Sequence, residues 1–316
     1  FAFWQSDITL EDESIYNYLQ VKNLSDRTIL STNVLFGVQS VTMKDKGLTG
    51  MYYDTALAAP ALADNANSAL ILGMGTGTYA RQLKQYYPKM NITGVEIDQK
   101  ITDLAGEYFD EPADIPVTTY DGRAWLAASH DKYDVIMVDA YQDITIPFQM
   151  SSTEFFTMVR EHLNPGGVMV VNMNMISDGQ GSINEALSDT IASVFGNGNT
   201  LTADVPNTTN RELFAKKPGS GSEENSMQQA SKAFNLRETT YERTGSEDLE
   251  WYMEEVASRF RKVNEPDSAS TILTDDKAPV EVLGMHAIDQ IIADEAGPYR
   301  QILKDEGFGG LLRAVQ

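Results

Sequence analysis

The chain has 316 residues, 42% of them hydrophobic and 22% charged, which is enough to bury one large core and a smaller second unit. Asp and Glu number 46 against 24 Lys and Arg, and the net charge of −22 argues against binding to nucleic acids or anionic lipids and favours cationic ligands. The absence of Cys excludes disulfides, thiol nucleophiles and zinc–thiolate sites, and the three scattered His residues suggest no metal site. We expect a soluble, acidic, globular protein.

The segment from about residue 14 to 41 consists of short β-forming runs at 15–21, 28–32 and 38–41, with turn-forming residues between them. This pattern predicts a small antiparallel β-domain within residues 1–60. The chain opens at Phe1 rather than Met, so we expect that an upstream tag, signal peptide or membrane segment was removed.

From residue 68 onward, short apolar runs alternate with helical stretches. The runs lie at 69–72, 92–96, 117–120, 135–139 and 168–172. Such alternation is typical of βαβ units around a buried, mostly parallel sheet with helices on both faces. We therefore predict a Rossmann-like domain over residues 61–217, whose last strands lie near 201–205 and 212–216.

A polar stretch rich in Gly and Ser follows Lys217. Beyond it, the pattern predicts an amphipathic helix over about residues 247–262 and a mixed helical tail. Residues 218–316 are thus interpreted as a linker and a C-terminal helical extension.

The clearest functional signal is a Gly-rich turn between the first of these strands and its helix. It contains Gly73, Gly75 and Gly77, with Thr76 between the last two. Glycines let the backbone approach a ligand, and the helix N-terminus offers free N–H groups. An ordinary tight turn could have the same composition, and Ala80 would also complete the spacing of a dinucleotide-binding turn.

Carboxylates follow the next two strands. Glu96 and Asp98 end the second strand, about 20 residues beyond the Gly-rich turn, where an acid can accept hydrogen bonds from ribose hydroxyls. Asp121 and Gly122 follow the third strand, where a carboxylate could accept from an adenine amine or cap the next helix. Three such elements in order predict a nucleoside site.

The fourth strand ends at Asp139, and Tyr141 and Asp143 follow. An acid at this strand tip faces the crevice and could accept a proton from an amine nucleophile. A nearby tyrosine and a second acid would form a rim suited to a cationic substrate. A helix cap or a solvated loop is the alternative interpretation.

The sequence resembles the spermidine synthase (polyamine aminopropyltransferase) family. The resemblance rests on residues 13–18, 37–40, 52–54, the Gly-rich turn, 95–98 and Asp139. Residues 139–141, 146–147 and 274–281 are most similar to a branch of the family that is often fused to an N-terminal membrane portion. The resemblance implies a methyltransferase-type, Rossmann-like sheet preceded by a small antiparallel β-domain.

The resemblance also implies an enzyme that moves an aminopropyl group from decarboxylated S-adenosylmethionine, as co-substrate, to a polyamine acceptor such as putrescine, without a tightly bound cofactor. Gln39 would contact the nucleoside–sulfonium ligand, Glu96 the ribose and Asp121 the adenine. Tyr53 would help to hold the amine, and Asp139 would orient and deprotonate it. We further expect a homodimer, located in the cytoplasm or anchored to a membrane with a soluble domain.

Three positions depart from the family pattern. Thr76 replaces an Asp that binds the aminopropyl amine, Asp54 replaces a His, and Asp143 comes one residue late. Either Asp54 or Asp143 compensates, or the donor is intact S-adenosylmethionine. The alternatives are therefore a methyltransferase or another S-adenosylmethionine-using enzyme on the same scaffold, or a non-catalytic nucleoside-binding domain of a membrane protein.

Overall fold

The structure is a computed structural model, and it describes residues 7–33, 38–45, 47–139, 146–173, 181–219, 227, 233–268, 270–280 and 282–283. An antiparallel sheet of four strands comes first: β1 (Leu10–Glu13), β2 (Tyr18–Asn23), β3 (Arg27–Thr32) and β4 (Ser40–Met43). This confirms the predicted N-terminal antiparallel sheet. The edge strand β1 was not predicted, because three of its four residues are acidic and give no apolar alternation.

The second part of the chain alternates strands and helices around one large sheet. Its elements in order are α1 (Tyr52–Ala56), α2 (Ala58–Leu62), β5 (Ser68–Leu72), α3 (Thr78–Tyr86), β6 (Asn91–Glu96), α4 (Gln99–Tyr108), β7 (Val117–Thr119), α5 (Gly122–Ala128), β8 (Tyr133–Val138), α6 (Thr153–His162), β9 (Leu163–Met173), α7 (Ile183–Phe195), β10 (Thr200–Asp204), β11 (Arg211–Lys216), α8 (Ala233–Thr244), α9 (Glu247–Ser258) and β12 (Phe260–Lys262).

The large sheet has the strand order β12-β10-β11-β9-β8-β5-β6-β7. The five strands from β9 to β7 are parallel, and β11, β10 and β12 extend the sheet by antiparallel pairing. The chain proceeds from β5 to one side and then returns to the other side through β8. Because the strand order reverses at this point, the carboxyl ends of β5 and β8 border a crevice.

Side-chain alternation along the strands builds a core on each face of this sheet. In β8, Val135 and Met137 pack on the face covered by α1 to α3, α8 and α9, whereas Ile136 and Val138 pack on the face covered by α5 to α7. The predicted sheet, mostly parallel and with helices on both faces, is therefore confirmed.

A third apolar cluster attaches the N-terminal sheet to the central domain. Leu19 and Leu30 of that sheet pack against Ile101 and Leu104 of α4, and Phe109 completes the contact. Since α4 follows β6, this packing places the N-terminal sheet beside the carboxyl edge of the large sheet.

The C-terminal part differs from the prediction in the end of one helix and in the presence of another. The helix predicted over 247–262 ends at Ser258, because β12 pairs with β10 and becomes the edge strand of the large sheet. Helices α1, α2 and α8 were not predicted. None of the helices within the described ranges is long and apolar enough to cross a membrane.

Candidate active site

A cavity of about 330 Å³ lies at the carboxyl ends of β5, β6 and β8, and the N-terminal sheet borders it on one side. Most of the predicted site residues line it, namely Gln39, Tyr53, Gly73, Gly75, Glu96, Asp121, Gly122 and Asp139. A larger cavity of about 640 Å³ lies between α7 and β12, and none of the predicted site residues lines it. The smaller cavity is therefore the candidate active site.

The Gly-rich turn brings bare backbone to the floor of this cavity. Gly75 has a φ of +57°, and a Cβ on it would lie 3.2 Å from Ser40 Oγ, so a larger residue would be strained and crowded here. Its N–H donates to Glu96 Oε2 over 2.8 Å. The turn thus positions the acid that follows β6.

Glu96 is only 7% exposed and faces the cavity. Besides Gly75, the backbone N–H of Asp98 donates to its other oxygen, Oε1, over 3.0 Å. Burial raises the pKa of Glu96, while these backbone hydrogen bonds act in the opposite direction. Each carboxylate oxygen can accept more than one hydrogen bond, so both remain able to accept from a ligand hydroxyl.

Asp121 combines the two roles that the sequence left open. Its Oδ1 accepts from the N–H of Ala124 over 2.7 Å and caps α5, and the residue also lines the cavity together with Gly122. The neighbouring side chain of Tyr120 is exposed, as is that of Ile97 across the cavity rim. The cavity lining beside Asp121 thus includes two large, exposed side chains.

Asp139 is held in a fixed orientation at the end of β8. Its Oδ2 accepts from the hydroxyl of Tyr52 over 2.6 Å, and its Oδ1 accepts from Asn172 Nδ2 over 2.9 Å. Burial raises the pKa of Asp139 to about 7, the two hydrogen bonds oppose this shift, and the charge of Glu96 adds to it. A carboxylate with a pKa near neutrality is suited to accept and release a proton.

The tyrosine that contacts Asp139 is Tyr52, and Tyr53, which the resemblance assigned to the amine, lies beside it. The hydroxyl of Tyr53 donates to the carbonyl oxygen of Gln39 over 3.1 Å and lies 3.2 Å from Ser40 Oγ. The two tyrosine rings are 4.0 Å apart, and both line the cavity. Sequence reasoning also missed Asn172, which lies on β9 outside any motif.

Several predicted ligand contacts lie outside the cavity lining. Thr76 is buried, and its hydroxyl has no hydrogen-bond partner among the described residues. Gly77 caps α3 and packs against the side chain of Glu111. Neither residue touches the cavity, so the structure does not place them against a ligand. Asp143 and Tyr141 lie outside the described residues.

Asp98, which the sequence placed among the ligand-binding residues, accepts several hydrogen bonds from the protein itself. Its carboxylate accepts from Ser14 Oγ over 2.6 Å, from Asn17 Nδ2 over 2.9 Å and from the N–H of Lys100 over 3.0 Å. It thereby caps α4 and connects this helix to the loop between β1 and β2. Asp98 does not belong to the cavity lining in this structure, and its contact with the ligand stays a prediction.

The idea that Asp54 compensates for Thr76 is wrong on geometric grounds. Asp54 is fully buried away from the cavity, and its carboxylate accepts from the backbone and hydroxyl of Thr49, from the backbone of Gly50 and from Gln82 Nε2. All four hydrogen bonds are 2.6–2.9 Å long. These hydrogen bonds hold the carboxylate of Asp54 within the fold, outside the cavity lining.

All the ionisable Asp, Glu, Lys, Arg and His side chains among the described residues that line the cavity are acidic. Glu96, Asp121 and Asp139 are the acids that line it, and no Lys, Arg or His belongs to the lining in the part of the chain that the structure describes. Over the same residues, no group of three or more His, Asp and Glu side chains could hold a metal ion. The acidic lining of the cavity thus favours cationic ligands.

Comparisons with known proteins agree with this arrangement. The family described as "spermine/spermidine synthase domain" matches residues 51–217. A protein of Bifidobacterium longum named "probable polyamine aminopropyl transferase" is 98% identical over 316 residues, which are 100% of this chain and 71% of that protein. A polyamine aminopropyltransferase of Corynebacterium efficiens is 37% identical over 131 residues, which are 38% of this chain and 25% of that protein.

A solved structure shows the same fold. A probable spermidine synthase from Corynebacterium glutamicum superposes with a TM-score of 0.59 at 21% sequence identity, and the match covers 83% of this chain and 98% of that one. Because the family matches more than half of the chain and the Bifidobacterium protein matches its whole length, the chain belongs to the spermine/spermidine synthase family.

Proposed function

We propose that the chain is a transferase that moves an aminopropyl group from decarboxylated S-adenosylmethionine to a polyamine acceptor such as putrescine. The observation that carries this proposal is a cavity with three acids, Glu96, Asp121 and Asp139, and no basic side chain among the described lining residues. Both substrates are cations, whereas the carboxylate of intact S-adenosylmethionine would meet no counter-charge there. The names of the Bifidobacterium and Corynebacterium relatives support the same activity.

The donor would bind along the carboxyl ends of β5, β6 and β7. Glu96 would accept from the ribose hydroxyls, and Asp121 would accept from the adenine amine. Tyr120 and Ile97 would pack against the adenine ring, and Gln39 would contact the sulfonium group, since all three line the cavity. Gly73 and Gly75 leave room for the ligand to approach the backbone.

The chemistry needs a base and correct alignment. The acceptor amine reaches the site as an ammonium ion, and Asp139 takes one of its protons. The free nitrogen lone pair then attacks the aminopropyl carbon bonded to sulfur, so that a C–N bond forms and the C–S bond breaks. The bonding electrons return to sulfur, and neutral methylthioadenosine leaves. No covalent enzyme intermediate is required, because the sulfonium carbon is already electrophilic.

The fixed orientation of Asp139 supports its role as the base. Tyr52 and Asn172 each donate to one of its oxygens, which holds the carboxylate plane still while lone pairs remain for the substrate. Tyr53 would support the amine site through its ring and its anchor on Gln39, and Asp143 would add charge at the rim. The homodimer, the N-terminal membrane portion and the cytoplasmic or membrane-anchored location remain predictions.

Calorimetry with methylthioadenosine, decarboxylated S-adenosylmethionine and intact S-adenosylmethionine tests the donor assignment. We expect the decarboxylated form to bind at least about tenfold more tightly than the intact form, because the carboxylate of the intact form would be left without a counter-charge. Glu96→Gln should weaken methylthioadenosine by about tenfold for the same reason. Equal affinity for both donors, or unchanged nucleoside affinity in Glu96→Gln, would contradict the assignment.

A further inference from the structure

The larger of the two cavities described above has no part in the proposed reaction. Its volume of about 640 Å³ lies within the range of about 300–1,000 Å³ that is usual for small-molecule sites. Its walls are α7, the strands β10 to β12, and residues between Val263 and Thr271 that follow β12. None of the described residues that line it also lines the candidate active site, so the two cavities are separate.

Helix α7 has a polar stripe that lines this cavity. The stripe residues are one, three or four positions apart, as neighbours on one side of a helix are, namely Asn184, Glu185, Ser188 and Asp189. The apolar residues of α7, such as Leu187 and Ile191, pack in the core on another side of the helix. The helix therefore offers hydrogen-bonding groups to whatever occupies the cavity.

Asn184 is the residue of this stripe that most clearly indicates a ligand. Its side chain is 3% exposed, and its amide nitrogen Nδ2 has no hydrogen-bond partner among the described residues. A buried amide donor without an acceptor costs free energy, so a ligand oxygen at this place would be stabilising. A carboxylate accepts such a hydrogen bond more strongly than a neutral oxygen does.

Two arginines lie close together on the strand side of the cavity. Arg211 is buried at the start of β11, and its Nε donates to Asp204 Oδ1 over 2.5 Å. Nη2 of Arg261 on β12 lies 3.1 Å from the other oxygen of Asp204. One carboxylate thus faces two guanidinium groups, and the three side chains together carry one net positive charge. This part of the cavity favours an anionic group.

Acids lie together on the helix side of the cavity. Asp189 is 8% exposed and accepts a hydrogen bond from the hydroxyl of Ser270. Burial raises the pKa of Asp189, and the negative charges of Glu185 and Asp267 add to this shift. A ligand ammonium group at this place would oppose both effects.

The two charged parts of the cavity are offset along α7. Arg211 pairs with Met173 at the end of β9, which is the edge of the sheet from which the chain enters α7. Asn184 lies in the first turn of α7, whereas Asp189 comes five positions later, about 7–8 Å along the helix axis. With a hydrogen bond of about 2.9 Å at either end, this offset suits a ligand whose opposite charges are about 2–3 Å apart.

We propose that this cavity is a second ligand site and that it binds a small zwitterion of the α-amino-acid class. The carboxylate of the ligand bonds Asn184 and the two arginines, and its ammonium group bonds Asp189 and the neighbouring acids. Ser188, Thr202 and Thr271 supply hydroxyl groups for a polar ligand side chain. Binding here does not depend on the proposed aminopropyl transfer, because the two cavities share no described lining residue.

The test uses L-glutamine and two analogues that each lack one of its charges. 4-Aminobutanamide lacks the carboxylate, and 4-carbamoylbutanoate lacks the ammonium group. Calorimetric titration of the full chain should give a Kd below about 1 mM for L-glutamine and at least about tenfold weaker binding for either analogue. Binding of L-glutamine should persist with saturating methylthioadenosine, since the candidate active site lies elsewhere.

Variants at the two ends of the cavity test the proposed contacts. Asp189→Asn should weaken L-glutamine by about tenfold, and Arg261→Met should weaken it by about threefold or more, because the side chain of Arg261 is more exposed. Arg27→Met is the matched control, since it removes an exposed arginine that pairs with Asp26 on the N-terminal sheet, and it should not change the affinity. The exposed position of Arg261 keeps the test decisive even if Asp189→Asn lowers Tm.

No binding of L-glutamine up to about 10 mM would overturn the inference. Equal affinity for L-glutamine and 4-aminobutanamide would also overturn it, because the cavity would then be a site for simple cations. Displacement of L-glutamine by methylthioadenosine would place the amino acid in the candidate active site instead. Unchanged affinity in both cavity variants would equally contradict the proposed contacts.

Discussion

Asp139 and Glu96 are both buried acids of the same cavity, yet their environments differ. Two backbone N–H groups donate to Glu96, whereas the donors to Asp139 are the side chains of Tyr52 and Asn172. Burial raises the pKa of Asp139 to about 7, so near neutral pH it can both accept a proton and release it. These environments support a ligand-holding role for Glu96 and a proton-transfer role for Asp139.

The pH dependence of the reaction should report this group. Because the base form of Asp139 is required, kcat/KM for the acceptor should rise about tenfold per pH unit below pH 7 and level off above it. Asp139→Asn should lower turnover about 100-fold or more and leave methylthioadenosine affinity unchanged. A rate that rises with a midpoint near pH 4, or a variant that also loses nucleoside binding, would contradict the assignment.

The same pKa shift has a consequence for stability. The pKa of Asp139 is raised from 3.8 in the unfolded chain to about 7 in the folded protein, so the folded state binds more protons between these values. The contribution of Asp139 to the free energy of unfolding is therefore greatest below about pH 4 and declines as the pH rises to about 7. In Asp139→Asn this part of the pH dependence should disappear, as thermal unfolding at several pH values would show.

Thr76 gives a second prediction at the level of one residue. Its hydroxyl is buried without a partner among the described residues, and its side chain does not line the cavity. Thr76→Val should therefore leave Tm and donor affinity almost unchanged, whereas Thr76→Asp should lower Tm because it buries a charge. If Thr76→Asp instead improved binding of the decarboxylated donor without loss of Tm, Thr76 would face the ligand after all.

At the scale of elements, the joint between α4 and the N-terminal sheet supports one wall of the cavity. Asp98 accepts from Ser14 and Asn17 in the loop between β1 and β2, and Asn17 lines the cavity. Although Asp98 does not touch the cavity, its bonds fix the loop that does.

Asp98→Ala should lower the free energy of unfolding by about 1–3 kcal/mol, the cost of losing a helix cap and two bonds to a buried carboxylate. It should also weaken donor binding, because the loop that contains Asn17 loses its anchor. Chemical denaturation and calorimetry measure the two effects. Lys100→Met is the control: it removes the exposed ion pair with Asp12 and should cost less than about 1 kcal/mol. Equal losses in both variants would dismiss the special role of Asp98.

The elements that sequence patterns predicted well are those whose signal is local. Each of the strands β6 and β8 is a mostly apolar run with an acid, Glu96 or Asp139, at its end. The Gly-rich turn indicates a close approach of the backbone to a ligand or to another part of the chain. Helices α1 and α2 have only five residues each, too few to show a helical period. The strand β12 begins two residues after the end of α9, and the pairing of β12 with β10, which a local pattern does not show, is what makes it a strand.

Local sequence patterns also fail to predict some of the single residues that form the candidate site. Tyr52 and Tyr53 are adjacent, and the packing of α1 against the sheet decides that Tyr52 faces Asp139. Asn172 belongs to no motif, and only the pairing of β9 with β8 brings it into line with Asp139. Contacts of this kind arise from sheet register, which a sequence read by itself does not specify.

At the scale of the whole molecule, charge and architecture act together. The net charge of −22 attracts cations, and the crevice at the reversal of strand order concentrates three acids in one cavity. The proposed cationic donor and acceptor would therefore be drawn to the same place, where carboxylates would replace part of their hydration. An anionic co-substrate would be repelled by the surface and by the cavity.

The most direct test of this account is a mass-spectrometric analysis of the products that the protein forms with putrescine and either donor. The account predicts that decarboxylated S-adenosylmethionine yields methylthioadenosine and an amine heavier by one aminopropyl group, and that intact S-adenosylmethionine yields neither product. Methylated amine with S-adenosylhomocysteine from the intact donor, and no aminopropyl product from the decarboxylated one, would contradict the account.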